Sequence, residues 1–473
     1  MSKITHGIST IKKQTTTTTP IVAQSGVHFI VGAAPVHIVD GGVNQVIMAN
    51  SYAEAVAQVG YSNDWSNYDI CEEIYSAFML YKCSPIFIVN VLDPTKHKKS
   101  IATAEMEITE KQIKLPLDAI KSSVKVTGKD VGTNYEVFYG DENLIIEFVD
   151  DVSESVASVA YDVVDPSKIT KADIIGGLDV NTMKTTGLEL IDSVFAKYAI
   201  APDIVMCPSW SHDSEVAAVM AAKCENINGV FDGVALIDVD TEEATHYSKV
   251  PEWKSKNGIN APQQILCYPM AKLGDKVFRM STVVAGRMTA TDNDEGLGDG
   301  TPCESPSNKT IHISSTVLAN GSEVNLDLVQ ANFLNDNGVV TALNFIGGFV
   351  LWGNETACYP ANTDITEYFI CVSRMFKWVG KSVILSNWSK VDRKLNRRLI
   401  DSIVDSCNIW LNGLTAEEKI LGGRIEFLEE ENSNTDIQAG KAKFHIYLTP
   451  PSPAKELSFI LEYDSSYLSA LFA

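Results

Sequence analysis

Four short clusters in this 473-residue chain bring reactive side chains together in sequence. Ser209, Ser211, His212 and Asp213 offer a nucleophile, a base and an acid within five positions. A serine hydrolase assembles those groups from separate elements around a Gly-x-Ser-x-Gly turn, and no such turn occurs in the sequence. Gly380-Lys381-Ser382 has the ending of a phosphate-binding loop, but Met375 stands where that loop needs its first glycine. Asp292, Asp294 and Glu295, like Asp238, Asp240 and Glu242, resemble calcium-loop ligands. Neither set has the glycine at the sixth place and the glutamate at the twelfth that complete such a loop. The eight histidines form no spaced metal pair and the nine cysteines no Cys-x-x-Cys, so buried free thiols are expected. No catalytic, cofactor-binding or metal-binding residue is assigned.

The one concentrated charge feature is basic. Between Arg374 and Arg398 stand eight Lys or Arg residues and one acid, Asp392, in a chain whose formal charge is −22. A long amphipathic helix is expected over 391–411, with Leu395, Leu399, Ile403 and Trp410 along one side. That helix would gather Arg393, Lys394, Arg397 and Arg398 on one face, since positions three and four apart are neighbours. With Lys390 they form a candidate docking surface for an acidic partner.

The remaining chain carries 60 acids against 38 bases, a surface that repels phosphate backbones, so nucleic acid is not an expected partner. The longest weakly polar stretch, 26–39, falls short of the roughly 20 apolar residues of a membrane span. The leading residues have lysines and a threonine run but no apolar core of a signal peptide, which predicts folding in a cytoplasm. At roughly 150 residues per domain the length suggests about three domains.

Apolar runs at 27–31, 85–91, 203–207, 233–238 and 264–268 read as buried strands. Helical spacing at 51–59, 71–82, 187–198 and 211–227 alternates with them, the pattern of an α/β layered core. Between about 100 and 165 the texture is short β runs (123–127, 134–138, 144–148) broken by turn residues, an all-β insertion. Near the end, 424–430 and 441–448 read as strands, 450–453 as a proline spacer and 457–463 as one last strand. The expected organisation is an N-terminal arm (1–20), an α/β core (21–98 and 172–345), the β insertion (99–171), an α+β C-terminal domain (346–454) and a C-terminal arm (455–473). Both arms have strand-like sequence but no evident partner within the chain. An unpaired strand can join a sheet edge of another chain through main-chain hydrogen bonds. The arm strands are Ile8, Ile11, Lys12 and Lys13 at one end and Leu457, Phe459, Leu461 and Tyr463 at the other. The candidate acceptor sheet holds Ile425, Phe427, Glu429, Phe444 and Ile446, with acids that suit an arm bearing Lys12 and Lys13.

Several stretches, taken in order, resemble the sheath proteins of contractile phage tails and phage-tail-like bacteriocins. They are Gly26-Val-His-Phe-Ile-Val-Gly32, the run Pro85-Ile-Phe-Ile-Val-Asn-Val91, Ala201-Pro-Asp-Ile-Val-Met-Cys-Pro208 and Val284-Ala-Gly-Arg287. Thr291-Asp292 and Ser305-Pro-Ser-Asn308 follow, then a Trp-Gly-x-x-Thr motif at Trp352–Thr356 and an arginine, Arg374. The loop between Asp292 and Ser305 departs from the family pattern. The resemblance implies a non-enzymatic homopolymer, hexameric rings stacked helically around a tail tube, linked by exchanged terminal arms and shortening on a trigger. It implies tail tube, baseplate and tail terminator proteins as partners and no membrane insertion by this chain. The location implied is a virion tail or bacteriocin particle assembled in the host bacterial cytoplasm. The tube-facing surface would be Lys390, Arg393, Lys394, Arg397 and Arg398. Two other readings stay open: a cytoplasmic, hydrolase-like α/β enzyme using Ser209 and His212 or Asp292 and Asp294, and a receptor-binding protein using the β insertion.

Overall fold

The computed structural model describes residues 21–150, 154–180 and 183–472. Ile8, Ile11, Lys12 and Lys13 of the expected N-terminal arm lie outside the described residues.

The chain is α/β. Its main sheet has eight strands, with His28–Gly32 between Ile86–Asn90 and Ile204–Met206. Val234–Asp238, Gln264–Cys267 and Val339–Asn344 continue it in parallel beyond Ile204–Met206. Antiparallel strands close the two sides, Val46–Ala49 beside Ile86–Asn90 and Phe349–Trp352 beside Val339–Asn344. The sheet therefore runs past the boundary placed at 345. Central strands such as His-Phe-Ile-Val-Gly and Val-Ala-Leu-Ile-Asp are buried at every position, which is why they read as unbroken apolar runs rather than alternating ones. Both outer strands are covered. The Lys197 ammonium and the Tyr198 hydroxyl donate to the Val46 carbonyl, while Leu351 N–H donates to Lys309 and Ile311 N–H to Phe349. Side chains and loop thus blunt the edges that would otherwise pair with another chain.

The helix Met280–Asn293 is buried along most of its length. A side chain at Gly286 would collide with the Tyr81 ring, so this glycine lets the helix close against the π-helical turns Ser76–Tyr81. The helix expected at 211–227 spans Ser214–Cys224 and is capped by Asp213, whose carboxylate accepts from Glu215 and Val216 N–H. All nine cysteines are free thiols, eight of them buried and Cys303 half-buried. Burial pushes the Cys71 thiol up to about 12.

Between the strands Lys98–Glu107 and Val156–Val164 the chain builds two three-stranded sheets around their own core, including Leu115, Tyr135, Leu144, Ile146 and Val159. Two of the short runs form strands as expected, Tyr135–Tyr139 and Asn143–Phe148, while 123–127 supplies only Lys125–Val126. The Tyr68 hydroxyl donates to Asp118 at 2.7 Å and ties this unit to the main sheet's layer.

The C-terminal region packs the helices Ile370–Asn387 and Arg397–Ala416 and a hairpin, Gly422–Glu426 with His445–Thr449, around Met375, Trp378, Val379, Leu411 and Ile420. Two expectations change here. The second helix begins at Arg397 rather than 391, because Asp392 takes a left-handed backbone (φ 62°) and Asn396 caps the first turn by accepting from Leu399 N–H. The segment 457–463 forms no strand among the described residues; it runs unpaired into a short 3-10 stretch, Ser465–Phe472.

Candidate assembly interface

The two chain ends meet the body in different ways. Residues 21–25 lie along the helix Ile370–Asn387. Ile21 N–H donates to Ser386 Oγ at 2.8 Å, Ala23 N–H to Ser382 Oγ at 3.0 Å, and Trp378 Nε1 donates to the Ala23 carbonyl at 2.8 Å. Ser25 Oγ then reaches Asp292 at 2.6 Å, and Asp292 is gripped by both guanidinium nitrogens of Arg374, at 2.6 and 3.0 Å. The pattern has a geometric cause. Two extended residues advance about 6.6 Å and four helical residues about 6 Å, so Ile21 and Ala23 meet helix positions 386 and 382 in step, while the long Trp378 and Arg374 side chains reach back to Ala23 and Ser25.

Arg374 also reaches Asp203 at 3.2 Å, whose carboxylate accepts from the Gly26 and Val27 N–H groups. Gly26 takes φ +71° and leaves no room for a Cβ beside Thr289, whose hydroxyl donates to its carbonyl. Arg374 is 3% exposed and Asp292 1%. Burial opposes the Arg374 charge, but Asp292 and Asp203 outweigh it, so its pKa is raised and the guanidinium stays charged.

This network corrects the basic cluster. Arg374 and Lys381 are buried, and Lys381 donates to the Ala201 and Pro202 carbonyls, with burial lowering its pKa. The surface patch is therefore smaller. Arg393, Lys394, Arg397 and Arg398 are exposed, and Lys390 is half-buried with its ammonium on Asn387 Oδ1 at 2.8 Å. They do not share one helical face. Lys390 ends the 3-10 turn Trp388–Lys390, Arg393 and Lys394 sit on the loop after it, and Arg397 and Arg398 open the helix, with Arg397 paired to Asp401 at 2.8 Å. Cations at a helix N-terminus add to the positive end of its dipole, so the tip as a whole favours a negative partner. Exposed Trp388 and Val391 stand in the same connection between the two helices.

The hairpin brings Ile425 opposite Ile446. Phe427, Glu429 and Phe444 fall outside its strands, though the Phe427 and Phe444 rings meet at 5.3 Å just beyond its end. Asn408 from the Arg397–Ala416 helix exchanges two hydrogen bonds with the Ile425 main chain, 3.1 and 2.9 Å, so that outer edge is occupied. Ile425 thus points its main-chain groups away from its partner strand. By the alternation of antiparallel pairs, Ile446 and Leu448 do so on the other side. That outer edge of His445–Thr449 pairs with no strand among the described residues. Two of the acids expected to attract a basic arm are already engaged: Glu426 with Arg424 at 2.8 Å and Glu431 with His445 at 2.7 Å.

From Thr449 the chain crosses the body as a strap, with Pro450 buried and Lys455 set against Glu355. Past Lys455 it is bare: Leu457 is 72% exposed, Phe459 86%, Leu461 96% and Tyr463 79%. Apolar side chains at alternate positions, without cover, are the pattern of a strand awaiting a sheet.

The hydrolase-like cluster does not converge. Ser209 Oγ accepts from Arg279, Ser211 pairs with buried Asp238, Asp213 caps a helix and His212 is exposed. Asp292 is held by Arg374, and Asp294 accepts from Gly296 N–H in a turn. No group of three metal-ligating side chains occurs among the described residues, and none of their helices is long and apolar enough to cross a membrane.

The α/β fold of the chain is shared with solved sheath proteins of contractile systems. The chain aligns with the sheath of an extracellular contractile injection system, the PVC sheath complex in its contracted state, with TM-score 0.58 and 12% identity, covering 98% of this chain and 99% of that one. The sheath tail protein from Desulfitobacterium hafniense aligns with TM-score 0.53 and 10% identity over 89% of this chain and 93% of its own. In sequence the chain is 25% identical over 482 residues, 98% of each protein, to the tail sheath protein of Burkholderia phage BcepMu. No family model matches the sequence. The resemblance to contractile-tail sheath proteins thus extends along nearly the whole chain, and these relatives are sheath proteins rather than enzymes.

Proposed function

We propose that the chain is the structural subunit of a contractile tail sheath. It polymerises as hexameric rings stacked helically around a tail tube and shortens to drive that tube through a target envelope. Its arms are the links, and the particle is a phage tail or a bacteriocin assembled in the host bacterial cytoplasm, joined to baseplate and tail terminator proteins. The C-terminal arm of one copy adds to the outer edge of His445–Thr449 in another. The tip formed by Lys390, Arg393, Lys394, Arg397 and Arg398 faces the tube, and the β insertion lies on the outer side.

The observation that carries this reading is the bare segment from Leu457 to Tyr463 together with a hairpin that has one edge unpaired among the described residues. About six main-chain hydrogen bonds at roughly 1 kcal/mol net each are offset by ordering seven residues at roughly 1–2 kcal/mol each. The link therefore depends on burying Leu457, Phe459, Leu461 and Tyr463, each worth about 1.5–3 kcal/mol. The purified full chain should form hollow cylinders under the electron microscope. A variant ending at Lys455 should remain a monomer with an unchanged melting temperature, and intact cylinders from that variant would overturn the exchange.

A further inference from the structure

We propose that Glu355 is a positioning residue for assembly: by holding Lys455 it fixes the point at which the C-terminal arm leaves the body. This rests on the arm-linked sheath reading. The Lys455 ammonium lies 2.8 Å from Glu355 Oε1, with Asp336 at 3.9 Å and the Tyr359 ring centre at 5.3 Å. Glu355 is 1% exposed, and no hydrogen bond other than this ion pair meets its Oε1 among the described residues. Its Oε2 accepts from Asn354 N–H. When Lys455 leaves, a buried carboxylate is stranded without a counter-charge, which drives the strap back onto its seat.

The seat is rigid. Glu355 bridges to Phe369 through the main chain, and Ile370 N–H donates to the Asn354 carbonyl at 2.8 Å. The Tyr359 and Tyr368 rings stack at 5.3 Å beside it. Trp352 Nε1 donates to Asn332 at 2.9 Å, Gly353 N–H to Ser307 at 3.0 Å, and the Asn354 side chain accepts from Ser305. The Trp-Gly-x-x-Thr motif and the Ser305-Pro-Ser-Asn308 run, distant in sequence, are thereby the frame around this carboxylate.

The strap between Pro451 and Glu456 borders a groove of about 1020 Å³, so it is not packed tightly against the body. Among the described residues Lys455 is its last ionic hold. Opening the seat would free about five more residues and lengthen the arm's reach by roughly 16 Å, enough to change which edge position it meets.

Trypsin reads the seat directly, because Lys455 must leave Glu355 to enter the protease. In the full-length monomer, Glu355→Gln should speed cleavage after Lys455 at least tenfold, with cleavage after exposed Lys394 and the melting temperature unchanged. Lys455→Arg, which keeps the cation, should retain slow cleavage. An unchanged rate at Lys455 in Glu355→Gln would overturn the seat, and this readout stands whether or not the protein forms cylinders. If cleavage accelerates but Glu355→Gln assembles at the wild-type rate and yield, the positioning role is overturned while the sheath reading survives. A tenfold loss of assembly rate, reversed by no change in solvent-exposed lysines, supports both.

Discussion

The segment 21–27 and the segment 450–464 are both polar-anchored extended chain, yet they are held by opposite means. The first is stitched at every second residue to one helix and ends in a guanidinium shared by buried Asp292 and half-buried Asp203. The second is fixed ionically through one lysine, 42% exposed, on Glu355 and Asp336, and beyond it no described side chain is buried. In the proposed sheath, whose rigid bodies would turn without parting, this contrast makes the first a permanent root and the second a releasable one.

The comparison breaks most clearly at Arg374. Arg374→Met leaves Asp292 and Asp203 without their counter-charge and should destabilise the fold by about 3–5 kcal/mol in urea unfolding. Leu461→Asn, which replaces an exposed apolar side chain with a polar one, should shift monomer stability by less than about 0.5 kcal/mol, because the side chain is already in water. Equal effects at the two sites would erase the distinction between them.

A smaller effect sharpens the C-terminal side. Lys254 donates to the Asn337 and Tyr359 carbonyls at 2.5 and 2.7 Å beneath the Lys455 seat, and burial pulls its pKa down to about 8. Unfolded, the lysine titrates near 10.4, so between those values the unfolded chain binds more protons and stability rises with pH. Relative to Lys254→Met, the protein should gain on the order of 1 kcal/mol between pH 8 and pH 10. A flat difference across that window would place the ammonium in contact with solvent.

The strands of the main sheet were legible because parallel strands buried on both faces must be apolar throughout, as in Ile86–Asn90. The strand Lys98–Glu107 was not, since its side chains are mostly exposed and its pairing slips between Ile101 and Ala104. The basic cluster was misread for a different reason. Arg374, Lys381 and Ser382 sit in a helix that is apolar on most sides, which signals burial, and a buried cation implies acids elsewhere in the chain. Those acids, Asp203 and Asp292, are 171 and 82 positions away, beyond any local pattern. The Asn396 cap was a readable signal: a capping residue directly before Arg-Arg-Leu marks the helix start better than the periodicity that placed it at 391.

The bare C-terminal segment is the centre of the account, and a cryo-EM map of the assembled protein tests it most directly. The account predicts Leu457, Phe459, Leu461 and Tyr463 in a strand hydrogen-bonded to the outer edge of His445–Thr449 in a second copy, with Lys455 still on its own Glu355. A map showing that segment folded against its own body, with the hairpin edge left open, would contradict it.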